Sequence, residues 1–336
     1  MEVLFTKRFK VLLALTLAVL LVVTLAGCGG QGGGKVQRLS IATGSTGGTY
    51  YPYGGAMAGI INKHVQGVEA TAEVTGASVE NARLLDSNEA QIALMMNDVV
   101  YHAIKGEQAF NKPMELRTLF AMYPHFFHVV TLKDSKVNSM ADLKGKKVSV
   151  GAPGSGTETM ANQVLNALGL SYDQFQVFRL SFTENTEALR DKVIDVGIWS
   201  VGPPTSSIMD LATTHQIKLL SFSKEEMARV HEKYPYYGEM KLEAGTYKGV
   251  DEEITAPSVW NSVMVHKNMS EDLAYKIVKA IFENKEEIVQ VYSGAKYTTP
   301  ENSIQNAVAP LHPGAVKYFK EIGLEVPQHL IPPEMK

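Results

Sequence analysis

Residues 38–65, RLSIATGSTGGTYYPYGGAMAGIINKHV, set a short alternating run against a glycine-dense turn and then an apolar helical pattern. Alternation over RLSIAT reads as a β-strand and GGAMAGIINKHV as a helix. A strand, a glycine turn and a helix start aim backbone N–H groups at an anion. The first N–H groups of a helix lack partners, and its macrodipole is positive there. Gly47 and Gly48 let a ligand approach the backbone, Ser45, Thr46 and Thr49 add hydroxyls, and Tyr50 stands beside them. The same residues also suit a plain tight turn in which glycine serves only to reach positive φ.

The pattern repeats outward. VEATAEV, QIALMM and LRTLFAM read as strands, with SVENARLLDS and NDVVYHAIKG as helices between them. After an extended crossing at HFFHVV a second series begins: KKVSVGA, QVFRLS, DVGIWS and IKLLSFS as strands, SGTETMANQVLNALG, TENTEALRDK and PPTSSIMDLATTH as helices. A second crossing lies near ITAPSVWNSVMVHK, and only helices follow it. Alternating strands and helices predict parallel, right-handed, doubly wound sheets. Two such units joined by two crossings predict an α/β protein of two hinged lobes with a ligand cleft between them. Lobe 1 takes residues 37–130 and 259–336, and lobe 2 takes 131–258.

A second glycine loop, GAPGSGTE at 151–158, also follows a strand and opens a helix. It approaches the phosphate-loop pattern, but Thr157 and Glu158 stand where Lys and Ser/Thr belong, and a glutamate there would repel a triphosphate. The dinucleotide pattern G-x-G-x-x-G is missing from the first loop, so a carboxylate is the expected anion. Ser155 and Glu158 have capping-box spacing, which alone accounts for both; as ligand contacts the loop offers Ser155, Gly156 and Thr157. Two further helix starts offer Ser78, Asn81, Asn97 and Asp98, each of which also suits capping. GIWSVGPP ends a strand on its carboxyl side, where open α/β sheets bind ligands, and adds Trp199, Gly202 and Pro203. A core role suits Trp199 equally well. An amino group on the ligand would find Asp98 or Glu158. Arg83, Arg117, Arg179 and Arg190 are possible cleft cations that also suit surface or strut positions.

The N-terminal stretch MEVLFTKRFKVLLALTLAVLLVVTLAGC, residues 1–28, has a basic head and an apolar run from Val11 to Ala26. That run is too short for a hydrocarbon core of roughly 30 Å and reads as a signal peptide. Leu25-Ala26-Gly27-Cys28 resembles a bacterial lipobox, in which the cysteine is lipid-modified and becomes the new N-terminus. Cys28 is the single cysteine of 336 residues, which rules out an intramolecular disulfide. Residues 29–36 read as a flexible Gly-rich tether. The body is therefore expected outside the cytoplasmic membrane, held by lipid. It is 45% hydrophobic and 20% charged with net charge −3, and no basic run offers a nucleic-acid footprint.

Together the lipobox, ATGSTGGTYYPYGGAMA, ASVENARLL, ADLKGKKVSVGAPGSGTE and GIWSVGPP resemble the TAXI-type solute receptors of tripartite ATP-independent periplasmic (TRAP) transporters. The likeness spans essentially the whole mature chain. It implies a type II periplasmic-binding-protein fold, an organic-acid ligand such as glutamate or glutamine, and delivery to an ion-driven TRAP permease. One position departs from the pattern: related receptors often carry glutamine where Met96 stands, which bears on the identity of the ligand.

Catalytic patterns are missing. No G-x-S-x-G, H-E-x-x-H or C-x-x-C occurs. His125 and His128, three apart in a strand, point to opposite faces and cannot share a metal. EKYPYYGEMKLEAGTYKGVDEE reads as a solvated excursion or a partner-docking face. No catalytic residue, metal or cofactor is expected. The reading is a lipid-anchored solute receptor and not an enzyme. An ABC-type receptor of the same fold is the alternative, and an extracellular enzyme on this scaffold the rival from another class.

Overall fold

In the computed structural model, which describes residues 36–336, the alternating run that opens the chain's body is strand β1 (Gln37–Ala42) and the helix behind the glycine turn is α1 (Tyr50–His64). The signal peptide, Cys28 and nearly all of the tether lie outside the described residues. Helix α1 starts ahead of its apolar pattern because Tyr50 and Tyr53 are themselves buried. Next come β2 (Val68–Glu73), α2 (Ser78–Asp86), β3 (Ile92–Met96) and α3 (Asn97–Lys105).

Strand β4 then runs unbroken from Leu116–Leu132, joining two runs that the sequence separates at Tyr123-Pro124. Proline removes a ladder donor, and it is tolerated here beside a register irregularity against the neighbouring strand. The second series is β5 (Lys147–Ser149), α4 (Gly156–Ala167), β6 (Gln176–Phe178), α5 (Phe182–Arg190), β7 (Val196–Val201), α6 (Ser206–Thr214) and β8 (Ile217–Leu219). Helix α7 (Lys224–Lys233) and β9 (Gly238–Leu242) lead to the second long strand, β10 (Ile254–His266). Helices α8 (Glu271–Glu283), α9 (Lys285–Val291), α10 (Pro300–Asn306) and α11 (Pro313–Glu321) complete the chain.

All ten strands of the described residues belong to one sheet of order β2-β1-β3-β10-β4-β7-β5-β6, with β8 on β4 and β9 on β10. The pairs β1–β3, β5–β6 and β5–β7 are parallel, while β4 and β10 run antiparallel to each other and to their neighbours β7 and β3. The two expected parallel units thus sit at the ends of the sheet. Each expected crossing is a single long strand running through the centre, and the lobe boundaries read from the sequence fall inside β4 and β10. Residues 38–336 form one compact unit.

One buried cluster lies under α1, α8 and α11 and includes Ile41, Phe120, Val263 and Phe319. The other continues from Val79, Met95 and Val100 through Phe126 and Phe127 to Val148, Val164, Ile198 and Leu211, so both ends of the sheet share it. The stretch read as a solvated excursion differs from expectation. It holds the end of α7 and all of β9, and Tyr237 and Tyr247 are each 1% exposed. Among the described residues no helix is long and apolar enough to cross a membrane.

Candidate ligand-binding cleft

The carboxyl ends of strands from both halves of the sheet face one cavity of about 400 Å³. Its wall takes Gly44–Tyr50 apart from Gly47 after β1, residues 74–78 after β2, Met96 at the end of β3 and His125 within β4. From the other half come Ala152 and Ser155–Thr157 after β5, residues 181–183 after β6, and Ser200 and Val201 at the end of β7.

Five helices present their first residues here: α1 by Thr49 and Tyr50, α2 by Ala77 and Ser78, α3 by its N-cap Met96, α4 by Ser155, Gly156 and Thr157, and α5 by Ser181, Phe182 and Thr183. Ser155 and Ser181 cap α4 and α5 through the backbone N–H groups of Glu158 and Glu184, whereas α1, α2 and α3 have no side-chain cap. The two halves also touch directly beside the cavity. Val79 and Glu80 at the start of α2 donate their N–H groups to the Gly154 carbonyl at 3.1 and 3.2 Å. Thr205 and Ser206 donate their hydroxyls to the Gly47 carbonyl at 3.1 and 3.3 Å.

The wall mixes hydroxyls (Ser45, Thr46, Thr49, Ser78, Thr157, Ser200) with apolar groups (Val74, Ala77, Met96, Phe182, Val201), and none of its side chains is Asp, Glu, Lys or Arg. Its titratable groups are Tyr50 and His125. Burial pushes the Tyr50 phenol well up, and its hydroxyl donates to Asn261 Oδ1. Burial likewise pushes the His125 imidazole down to about 3, so it is neutral at ordinary pH.

Of the residues singled out in the sequence, Ser45, Thr46, Gly48, Thr49, Tyr50, Ser78, Ser155, Gly156 and Thr157 meet at this cavity. The others lie behind it. Gly47 turns its carbonyl to the start of α6, as above. Asn81 donates to the carbonyls of Thr43 and Leu94, both at 2.8 Å, and so ties the ends of β1 and β3 together. Asn97 donates to the Asn306 carbonyl at 2.7 Å and accepts from the Ser262 hydroxyl at 2.7 Å. Trp199 is fully buried with its ring against Phe182, so it backs the wall without forming it. Gly202 fits against Tyr123 and Tyr292, and the Pro203 carbonyl accepts from the Tyr292 hydroxyl at 3.3 Å.

Neither acidic group read as an ammonium partner lines the cavity. Asp98 Oδ2 accepts from the Tyr237 hydroxyl at 2.8 Å, and Glu158 pairs with Arg179 in a separate surface groove. The four arginines are engaged elsewhere: Arg117 with Glu334, Arg190 with Asp210, Arg179 with Glu158, and Arg83 on the Ala109 carbonyl. Sequence reasoning missed His125, Thr75, Ser200 and residues 181–183. The last group carried a signal, since RLSFTEN repeats the strand, hydroxyl and helix-start layout with a capping box at Ser181 and Glu184. Among the described residues no cluster of His, Cys, Asp and Glu could hold a metal.

Solved structures of low sequence identity share this architecture. A protein of Bordetella bronchiseptica RB50 is 18% identical over 88% of this chain and 93% of its own, with a TM-score of 0.50. The ligand-binding component of an ABC-type import system from Staphylococcus aureus is 12% identical over 89% and 97%, with a TM-score of 0.49. The alkanesulfonate-binding protein SsuA of Xanthomonas axonopodis pv. citri is 13% identical over 89% and 97%, with a TM-score of 0.46. At such identities the likeness concerns the fold alone, a mixed α/β arrangement that solute-binding proteins also have. In sequence, the family described as NMT1-like matches residues 41–323, and the chain belongs to that NMT1-like family.

Proposed function

We propose that this chain is an extracytoplasmic solute receptor whose two lobes, residues 37–130 with 259–336 and residues 131–258, close on a small organic anion with an apolar body. β4 and β10 serve as the hinge. The observation that carries the reading is the set of five helix starts around one cavity whose wall bears no charged side chain. A helix start favours a negative group by about 0.3–2 kcal/mol. Burying a bare carboxylate costs several times that, so several donors must converge. The apolar side chains on the wall suit the remainder of the ligand, and the cavity volume suits a small molecule.

The resemblance in sequence implies glutamate or glutamine. The geometry favours an anion without an amino group, because an ammonium would be buried against a wall that has no carboxylate. Calorimetric titration with 2-oxopentanoate, propane-1-sulfonate, 2-oxoglutarate, norvaline, glutamate, glutamine and a neutral sugar tests this. The expected order places 2-oxopentanoate about tenfold or more above norvaline, its amino analogue, which is a gap of about 1.4 kcal/mol. Tight binding of the sugar with no response to any acid would remove the anion reading altogether.

For the membrane partner, the sequence resemblance points to a TRAP permease. Of the neighbours named above, the Staphylococcus aureus protein is the ligand-binding component of an ABC-type import system, and an ABC-type permease is the alternative partner. Lipid anchoring by Cys28 is proposed from the lipobox pattern alone. On this reading Cys28→Ser leaves the protein in the soluble fraction or unprocessed, with binding intact; a cleaved Cys28→Ser protein that stays with the membrane speaks against the anchor.

A further inference from the structure

The cleft contains one buried base without a partner. His125 lines the cavity, is 3% exposed, and neither of its ring nitrogens has a hydrogen-bond partner. The ring is held between Tyr50 and Tyr123, at centroid distances of 5.0 and 5.6 Å. His128, three residues along the same strand, faces the other side, and both of its nitrogens are engaged. Its Nδ1 meets the Phe126 carbonyl at 2.9 Å and its Nε2 the Tyr247 hydroxyl at 3.0 Å. Two equally buried histidines therefore differ in one respect: His128 is satisfied by the protein, and His125 stands on the cavity wall with neither ring nitrogen paired.

We propose that His125 takes up a proton from solvent when an anion enters the cleft, and that the imidazolium so formed is the counter-ion which the wall otherwise lacks. The inference rests on the anion reading above. A buried polar atom is rarely left unpaired unless something outside the protein's own bonds completes it. Helix starts supply only fractional positive charge, and no lysine or arginine lines the cavity.

The groups around the ring are few. Burial dominates and holds it neutral, His128 acts in the same direction, and the Ser200 backbone on β7, close by but outside hydrogen-bond geometry, favours the charged form. Tyr50 from α1 and Tyr123 from β4 are uncharged phenols, and its partner on β10 is Val259. A negative group beside the ring favours the imidazolium, so its pKa in the complex lies above that of the free protein. By linkage, affinity rises as pH falls through the bound-state value.

Propane-1-sulfonate, which stays ionised throughout, is titrated at about pH 5.5 and pH 8 in buffers of different ionisation enthalpy. The expected result is uptake approaching one proton at the lower pH and little at the higher, with affinity rising by up to about tenfold per unit of pH below the bound-state pKa. In 15N-histidine spectra of the wild-type protein, which has nine histidines, one ring should change to the imidazolium pattern on binding. His125→Gln keeps a polar side chain but should bind about tenfold more weakly without proton uptake. Binding with no uptake and no change in any ring would reduce His125 to a wall residue while leaving the anion receptor standing. Uptake that persists in His125→Gln would place the proton elsewhere and overturn the proposal. If neither propane-1-sulfonate nor 2-oxopentanoate binds, the anion receptor fails and this inference fails with it.

Discussion

Gly156→Val should give a folded protein that has lost at least about 100-fold in affinity for propane-1-sulfonate, or about 2.7 kcal/mol. Gly156 is the first residue of α4 and faces the cavity. A Cβ there would lie 2.9 Å from Ser78 Oγ and 3.1 Å from Ser78 Cβ, with Met96 Sδ closer still. Ser78 and Met96 belong to the opposite half of the cleft, and the Ser78 hydroxyl accepts from the Met96 N–H at 3.1 Å. A larger side chain is therefore a wedge between the starts of α2 and α4, beside the point where α2 donates to the Gly154 carbonyl. The wedge opposes closure of the cavity more than it opposes folding, because the Ser78 and Met96 side chains it meets are on the cavity wall, while the buried cluster shared by both ends of the sheet stays packed. Thermal unfolding and calorimetry separate the two effects. A midpoint within a few degrees of wild type with binding lost is the expected pair. Affinity kept within about threefold would mean that these two helix starts do not close on the ligand.

The strands and helices were legible because their periodicities are strong and their turns are rich in glycine. The two glycine-and-hydroxyl loops were legible as a site because strand, turn and helix start are contiguous in the chain. The unity of β4 was hidden by Pro124, which reads as a break unless the neighbouring irregularity in β10 is known. His125, Thr75 and Ser200 could not be read as wall residues, since which face of a strand meets the cavity depends on packing between segments far apart in sequence. Asp98 and Glu158 show the converse error. Both stand in the first turn of a helix whose start meets the cavity, yet the helix turns Asp98 toward Tyr237 and Glu158 toward Arg179. Nearness along the chain gave their depth and not their direction.

That direction sets the second large effect. The carboxyl of Asp98 is 1% exposed, and burial pushes it up from 3.8 to about 6 against the hydrogen bonds from Tyr237 and the Val99 N–H. A carboxyl whose folded pKa lies above its unfolded value binds its proton more tightly when folded. Its favourable contribution is fully present below the unfolded value of 3.8 and is lost as pH rises through about 6. At pH 7 the buried carboxylate should therefore cost stability on the order of 1–3 kcal/mol relative to its protonated form. Asp98→Asn removes the titration and keeps the shape. Its Oδ1 can still accept from the Val99 N–H, and its Nδ2 can donate to the Tyr237 oxygen once the phenol proton turns to its other acceptor, the Gln163 Oε1 at 2.6 Å. The variant should be more stable than wild type by about 1–3 kcal/mol in urea unfolding at pH 7.5, with the gap closing toward pH 4. Because Asp98 lies off the cavity, affinity for propane-1-sulfonate should stay within about twofold, which also keeps its titration separate from that of His125. A stability difference that is the same at both pH values would mean that the carboxyl does not titrate in this range, and that the bond to Tyr237 offsets its burial in full.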